Sequence, residues 1–152
     1  MITIRCKSVD DTDRLSKIVS SLVFNGFLIL ANGDLGAGKT RFAKGLALNL
    51  GVKDTVTSPT FNILKCYKGD KYEFYHIDAY RLEGVKQDIG LDEFIEGEDI
   101  CFVEWSEYID YLLPDEYLKM NITIDKDESR IFEIEGNGIK YKDVEKEIER
   151  LW

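Results

Sequence analysis

Proline is scarce in this chain, with Pro59 and Pro114 its only two, and histidine is represented by His76 alone. Hydrophobic residues make up 44% and charged residues 32%, so the low proline content belongs to a globular chain and a disordered or linker-like tail is excluded. Cysteine is limited to Cys6, Cys66 and Cys101, an odd number with no C-x-x-C spacing. All three lie in apolar or alternating stretches and read as reduced, strand-borne core residues. No run of about 18 apolar residues occurs, which excludes a membrane-spanning helix. Residues 1 to 5 alternate like a strand and lack a signal peptide's apolar run, so the chain reads as cytoplasmic. No Lys/Arg-rich segment is present, and 29 acidic against 20 basic residues give a net charge of −9. Such a field repels polyanions, which argues against autonomous nucleic-acid binding and suits a basic protein partner better. At 152 residues, one domain over 1–152 is expected.

The elements alternate between strand and helix periodicity. A strand over roughly residues 1 to 6 leads into a cap-rich cluster, Ser8 to Asp13, and then Leu15, Ile18, Val19, Leu22 and Val23 recur at helical spacing up to Asn25-Gly26. Phe27 to Ala31 is a continuous apolar run of the kind that forms a strand buried on both faces. Beyond a glycine-rich loop, Phe42, Ala43, Leu46, Ala47 and Leu50 mark a second helix that Gly51 stops. Residues 60 to 68 and 71 to 77 flank Gly69-Asp70 and predict a hairpin. Arg81 to Glu98 is acidic and weakly helical, and Ile100 to Val103 is a further buried strand ending in Glu104-Trp105. Strands over 117 to 125 and 130 to 135 and a short helix over 143 to 152 complete the chain. The expected class is α/β, a P-loop NTPase-like single domain with a central mixed β-sheet flanked by helices.

Gly33-Asp34-Leu35-Gly36-Ala37-Gly38-Lys39-Thr40 matches G-x-x-x-x-G-K-[ST] between a buried strand and a helix, the context this phosphate-binding (Walker A) motif requires. Its glycines let backbone N–H groups turn toward phosphate oxygens, and the helix N-terminus adds partial positive charge. Lys39 is placed to reach the β- and γ-phosphates, and Thr40 offers a hydroxyl to Mg²⁺. ATP with magnesium is therefore the expected ligand. The site further needs carboxylates at strand ends. Glu104 is the first choice for the metal, and Asp78 for positioning water or supporting the metal's water shell.

Ser58-Pro59-Thr60-Phe61 admits two readings, a plain turn or a switch loop in which Thr60 senses γ-phosphate and magnesium. His76 reads as a hydrogen-bonded core residue in preference to a metal ligand or proton shuttle. Trp105 reads as packing, with the option of orienting Glu104.

Taken together, the phosphate loop, Ser58 to Phe61, Tyr-His-Ile-Asp-Ala-Tyr-Arg-Leu at 75 to 82, Val-Glu-Trp at 103 to 105 and Leu-Pro-Asp at 113 to 115 resemble the TsaE (YjeE) family over essentially the whole chain. The resemblance implies a bacterial ATPase of tRNA N6-threonylcarbamoyladenosine synthesis that supports a TsaB–TsaD heterodimer without itself transferring the threonylcarbamoyl group. It also implies Mg²⁺ on Thr40 and Glu104, with Asp78 and the loop around Thr60 in the nucleotide site. Arg130 would lie near the nucleotide and the turn around Thr12 near the base. Arg41 departs from the family, many of whose members carry a small polar residue there.

Two other classes share the loop. A small-molecule kinase would clamp its phosphate with a cluster of lid arginines, whereas Arg41, Arg81 and Arg130 are dispersed. A guanine-nucleotide switch needs an Asn-Lys-x-Asp motif, which the sequence lacks.

Overall fold

Alternating side chains set the first strand: Ile2, Ile4 and Cys6 of β1 (Ile2–Cys6) point into the core while Thr3 and Arg5 face solvent. A computed structural model describes residues 1–86 and 89–152 of the chain. Ser8 caps α1 (Val9–Ser20), its Oγ accepting from the Asp11 amide at 3.2 Å, and the Asp11 carboxylate reaches back to the Lys7 amide at 2.9 Å. The helix stops short of the predicted Val23. The Ser21 amide is shared between the Lys17 and Ile18 carbonyls, which tightens the last turn and closes the helix. Leu22 and Val23 nevertheless pack against the core from the turn that follows.

β2 (Leu28–Asn32) is the buried strand, and α2 (Lys39–Asn49) begins directly at the phosphate-loop lysine, ahead of its apolar face. The hairpin consists of β3 (Leu64–Lys68) and β4 (Glu73–Asp78), so its first strand starts later than the expected residue 60. Residues 59 to 63 turn instead: the Asn62 and Ile63 amides both donate to the Pro59 carbonyl, and Ile63 adopts a left-handed backbone with φ of 68°. At the other end of the hairpin, the Asp70 amide donates to the Leu50 carbonyl at 2.9 Å, fastening the turn to the end of α2.

Among its described residues the acidic stretch carries a 3-10 turn at Tyr80–Leu82 and α3 (Asp92–Ile95); Gln87 and Asp88 lie outside the described residues. β5 (Ile100–Glu104) is buried throughout and is followed by 3-10 turns over Ser106–Leu112. β6 (Tyr117–Ile124), β7 (Arg130–Asn137) and α4 (Ile139–Leu151) complete the chain. α4 starts four residues before the expected position because Tyr141 is one of its core residues, with its hydroxyl accepting from the Leu28 amide at 2.9 Å.

Among the described residues seven strands form one mixed sheet in the order β1-β7-β6-β2-β5-β4-β3. The pairs β6·β2, β2·β5 and β5·β4 are parallel, and the outer pairs are antiparallel. One face packs against α1, α2 and α4 through Leu15, Phe42, Phe102 and Phe132, and the other covers Leu28, Leu30, Ile77 and Val103 with the short helical turns. Cys6 and Cys101 are buried as expected, and burial pushes the Cys6 thiol up to about 11. Cys66 corrects the expectation, since its side chain lies exposed on β3, an edge strand of the sheet.

Candidate nucleotide site

In the parallel centre of the sheet, polarity rises along each strand toward its C-terminal end. On the helix-packed face β4 runs Phe74, His76, Asp78 and β5 runs Ile100, Phe102, Glu104, with Asp78 and Glu104 in register as neighbours. The phosphate loop leaves β2 beside them. The chain thus delivers a glycine loop and two carboxylates to the crevice where parallel α/β sheets bind their ligands.

The glycines of the loop are required for different reasons. Gly36 and Gly38 have φ of 79° and 115°, and a Cβ at Gly36 would project into open space, as a cradle for an incoming group demands. Gly33 instead answers to packing: a Cβ there would stand 2.5 Å from the Ile122 carbonyl oxygen on β6. Lys39 is nearly buried. Its ammonium donates to the Gly33 carbonyl and to the Asp34 carbonyl at 3.2 Å, and lies 4.4 Å from the centre of the Trp105 ring. Desolvation holds its pKa below the ordinary lysine value, opposed by the charges of Glu104 and Asp78.

Thr40 Oγ1 faces Glu104 Oε2 at 3.4 Å, and the same carboxylate oxygen lies 2.5 Å from His76 Nε2. Asp78 accepts from Thr60 Oγ1 at 2.9 Å and from the Tyr80 amide at 3.0 Å, while Thr60 Oγ1 also meets Ser58 Oγ at 2.7 Å. Thr40, Ser58, Thr60, Asp78 and Glu104 line a cavity of about 270 Å³ together with the phosphate loop, Lys39 and Trp105. A second cavity of about 640 Å³ adjoins it across Gly36 and Gly38, bounded by Ser8, Val9, Thr12, Arg130 and Phe132. Thr12 and Arg130 therefore sit in the neighbouring cavity, apart from the carboxylates. Arg130 donates to the Glu128 carbonyl at 2.8 Å and to the Gly36 carbonyl at 3.4 Å, and Arg41 pairs with Asp13 at 2.7 Å.

The structure thus brings together Lys39, Thr40, Thr60, Asp78 and Glu104, with Thr12 and Arg130 one cavity away. Two of its contacts escape a sequence reading. His76 is a buried, hydrogen-bonded core residue as expected, but its partner is Glu104, a pairing that depends on the register between β4 and β5. Trp105, left-handed at φ of 57°, packs as expected, stacked on Tyr108, but its ring also lies over the Lys39 ammonium. The only sequence signals for these contacts are the two-residue spacing of His76 from Asp78 and the adjacency of Trp105 to Glu104.

The donor set suits a hard cation shared with phosphates: a hydroxyl and carboxylate oxygens. Among the described residues there is no cluster of three or more His, Cys, Asp or Glu side chains able to cage a metal. Magnesium held through one or two carboxylates and a ligand's phosphates needs none.

A model of the family described as threonylcarbamoyl adenosine biosynthesis protein TsaE matches residues 6–132. The chain belongs to the TsaE family. It is 37% identical over 146 residues to the tRNA threonylcarbamoyladenosine biosynthesis protein TsaE of Bacillus subtilis, covering 96% of this chain and 92% of that one. The TsaE of Treponema pallidum is 38% identical over 130 residues, covering 83% and 96%. The crystal structure of Bacillus subtilis YdiB superposes with a TM-score of 0.84 at 32% identity, over 98% of this chain and 94% of that one. TsaE membership does not favour the small-molecule kinase reading. Among the described residues no helix is long and apolar enough to cross a membrane.

Proposed function

We propose that this TsaE-family chain is a magnesium-dependent ATPase that serves tRNA N6-threonylcarbamoyladenosine synthesis together with a TsaB–TsaD heterodimer. The observation that carries the reading is the convergence of Lys39, Thr40, Thr60, Asp78 and Glu104 on one cavity behind a glycine loop. The loop's amides and the Lys39 ammonium hold the phosphates of ATP, with the ammonium exchanging the Gly33 and Asp34 carbonyls for phosphate oxygens. Thr40 and Glu104 hold magnesium, and Asp78, with Thr60, orients the attacking water. When bound, magnesium offsets the charge that develops on the phosphates. The base and ribose occupy the larger cavity lined by Thr12 and Arg130.

Turnover by the isolated chain is slow. Arg41 is engaged with Asp13 and Arg130 with backbone carbonyls, so neither guanidinium is committed to the transferring phosphate. Docking on TsaB–TsaD completes the site or orders the Ser58 to Phe61 loop. Calorimetry of ATP uptake with and without Mg²⁺, followed by phosphate release with and without the heterodimer, tests the reading. Magnesium-dependent uptake and a rate raised by the heterodimer are expected. No uptake, or equal and fast rates in both conditions, would overturn the corresponding half of the proposal.

A further inference from the structure

His76 is an expensive way to fill its place. It is fully buried in the aromatic column of β4, edge-on to Phe102 with centroids 5.5 Å apart and 6.2 Å from Phe74. A phenylalanine would fill the same volume without polar atoms. Among the described residues His76 Nδ1 has no hydrogen-bond partner, a desolvation cost that packing alone does not repay. Among the described residues the polar contact of the ring is Nε2 to Glu104 Oε2, at 2.5 Å. An ionised carboxylate only accepts, so in this pair the ring donates from Nε2.

We propose that His76 is a positioning residue for the magnesium site, donating from Nε2 to Glu104 Oε2 and thereby fixing the carboxylate against Thr40. Glu104 is itself buried at the cavity floor, where without a fixed donor its carboxylate could rotate away from Thr40. The bond anchors one oxygen, Oε2, from below, and the carboxylate then faces Thr40 and the phosphate loop in one orientation. Neighbours that orient a metal-binding carboxylate act on metal affinity more than on the fold. The inference rests on the proposed Mg–ATP site but concerns a residue to which that reading gives no role.

Two measurements test it. His76 is the chain's only histidine, so ¹⁵N-histidine labelling yields a single imidazole spin system. In nucleotide-free protein the Nε2–H tautomer is expected, and an Nδ1–H tautomer would overturn the proposal without any variant having to fold. The second measurement is calorimetric affinity for ADP in Mg²⁺ and in EDTA for wild type, His76→Phe and His76→Gln. In wild type Mg²⁺ tightens binding. His76→Phe should cut that magnesium-dependent gain by about 10- to 100-fold while EDTA affinity stays within about twofold. His76→Gln, whose amide N–H can donate at similar reach, should restore most of it. Equal loss in Mg²⁺ and EDTA would make the histidine merely structural, and an unchanged gain would remove its role; either sinks the proposal. A wild type that binds no nucleotide in either condition fails differently, because it removes the parent ATP site as well.

Discussion

The phosphate loop and the Ser58 to Phe61 loop face each other across one cavity, yet they are held in opposite ways. The phosphate loop is shaped by its backbone: positive φ at Gly33, Gly36 and Gly38, the close approach of Gly33 to Ile122, and α2 continuing from it without a break. The second loop hangs largely on side chains: Thr60 is bonded to Asp78 and Ser58, the Pro59 turn fixes part of its backbone, and Arg81 donates to the Phe61 carbonyl at 3.4 Å. A ligand cradle made of main chain cannot be lost by truncating one surface residue, whereas a loop held by a hydroxyl can be released by a change at its partner. The first suits binding, the second suits sensing.

Breaking the backbone-built side requires its one buried cation. Lys39→Ala should weaken Mg–ATP affinity on the order of a hundredfold by calorimetry. It should not lower the melting temperature of the nucleotide-free protein, because the ammonium it removes is held desolvated, with its pKa below the ordinary lysine value. Breaking the side-chain-built side should separate binding from turnover. Thr60→Val is expected to lower phosphate release by about tenfold in the presence of TsaB–TsaD while ADP affinity in EDTA stays unchanged. A smaller effect sharpens the boundary between the two cavities: Arg130→Ala should weaken ATP by about threefold to tenfold and inorganic triphosphate by less, as measured by competition.

The smallest effect on nucleotide belongs to a group remote from both loops. Burial alone would raise the pKa of Glu145, but the Gly136 amide at 2.8 Å and the N-terminal ammonium at 3.1 Å outweigh it and hold the carboxyl below its ordinary value. A depressed folded pKa contributes stability above the unfolded value and loses it as pH falls through the folded one. Glu145→Gln should therefore leave ATP affinity unchanged and lower the melting temperature by about 2–4 °C at neutral pH, with the difference shrinking in acid.

Local signals made most of this legible in the sequence. The phosphate loop could be read because its chemistry lies within eight consecutive residues, and Asp78 and Glu104 because buried strands end in them. The alternating and apolar runs placed every strand to within a few residues except β3, whose start was obscured by the left-handed turn at Ile63. What the sequence withheld was pairing. That Thr60 bonds Asp78, that His76 meets Glu104 and that Trp105 faces Lys39 all depend on strand register and backbone direction between segments 18 to 66 residues apart. Periodicity reports which face a residue takes, not which neighbour it finds there. Cys66 shows the same limit: its strand was foreseen, but its exposure depends on which side of β3 the sheet leaves uncovered.

The bond between the Asp70 amide and the Leu50 carbonyl ties the far end of α2 to the far end of β4, while Thr40 and Asp78 stand at the near ends of the same two elements. They form a closed frame braced at its back, so the span across its mouth is inherited from the lengths of its sides. One residue inserted into α2 would turn everything beyond it by about 100°, and one inserted into β4 would swap its faces and send Asp78 to the wrong side of the sheet. Insertions should therefore be excluded from the two long sides of this frame, α2 and β4.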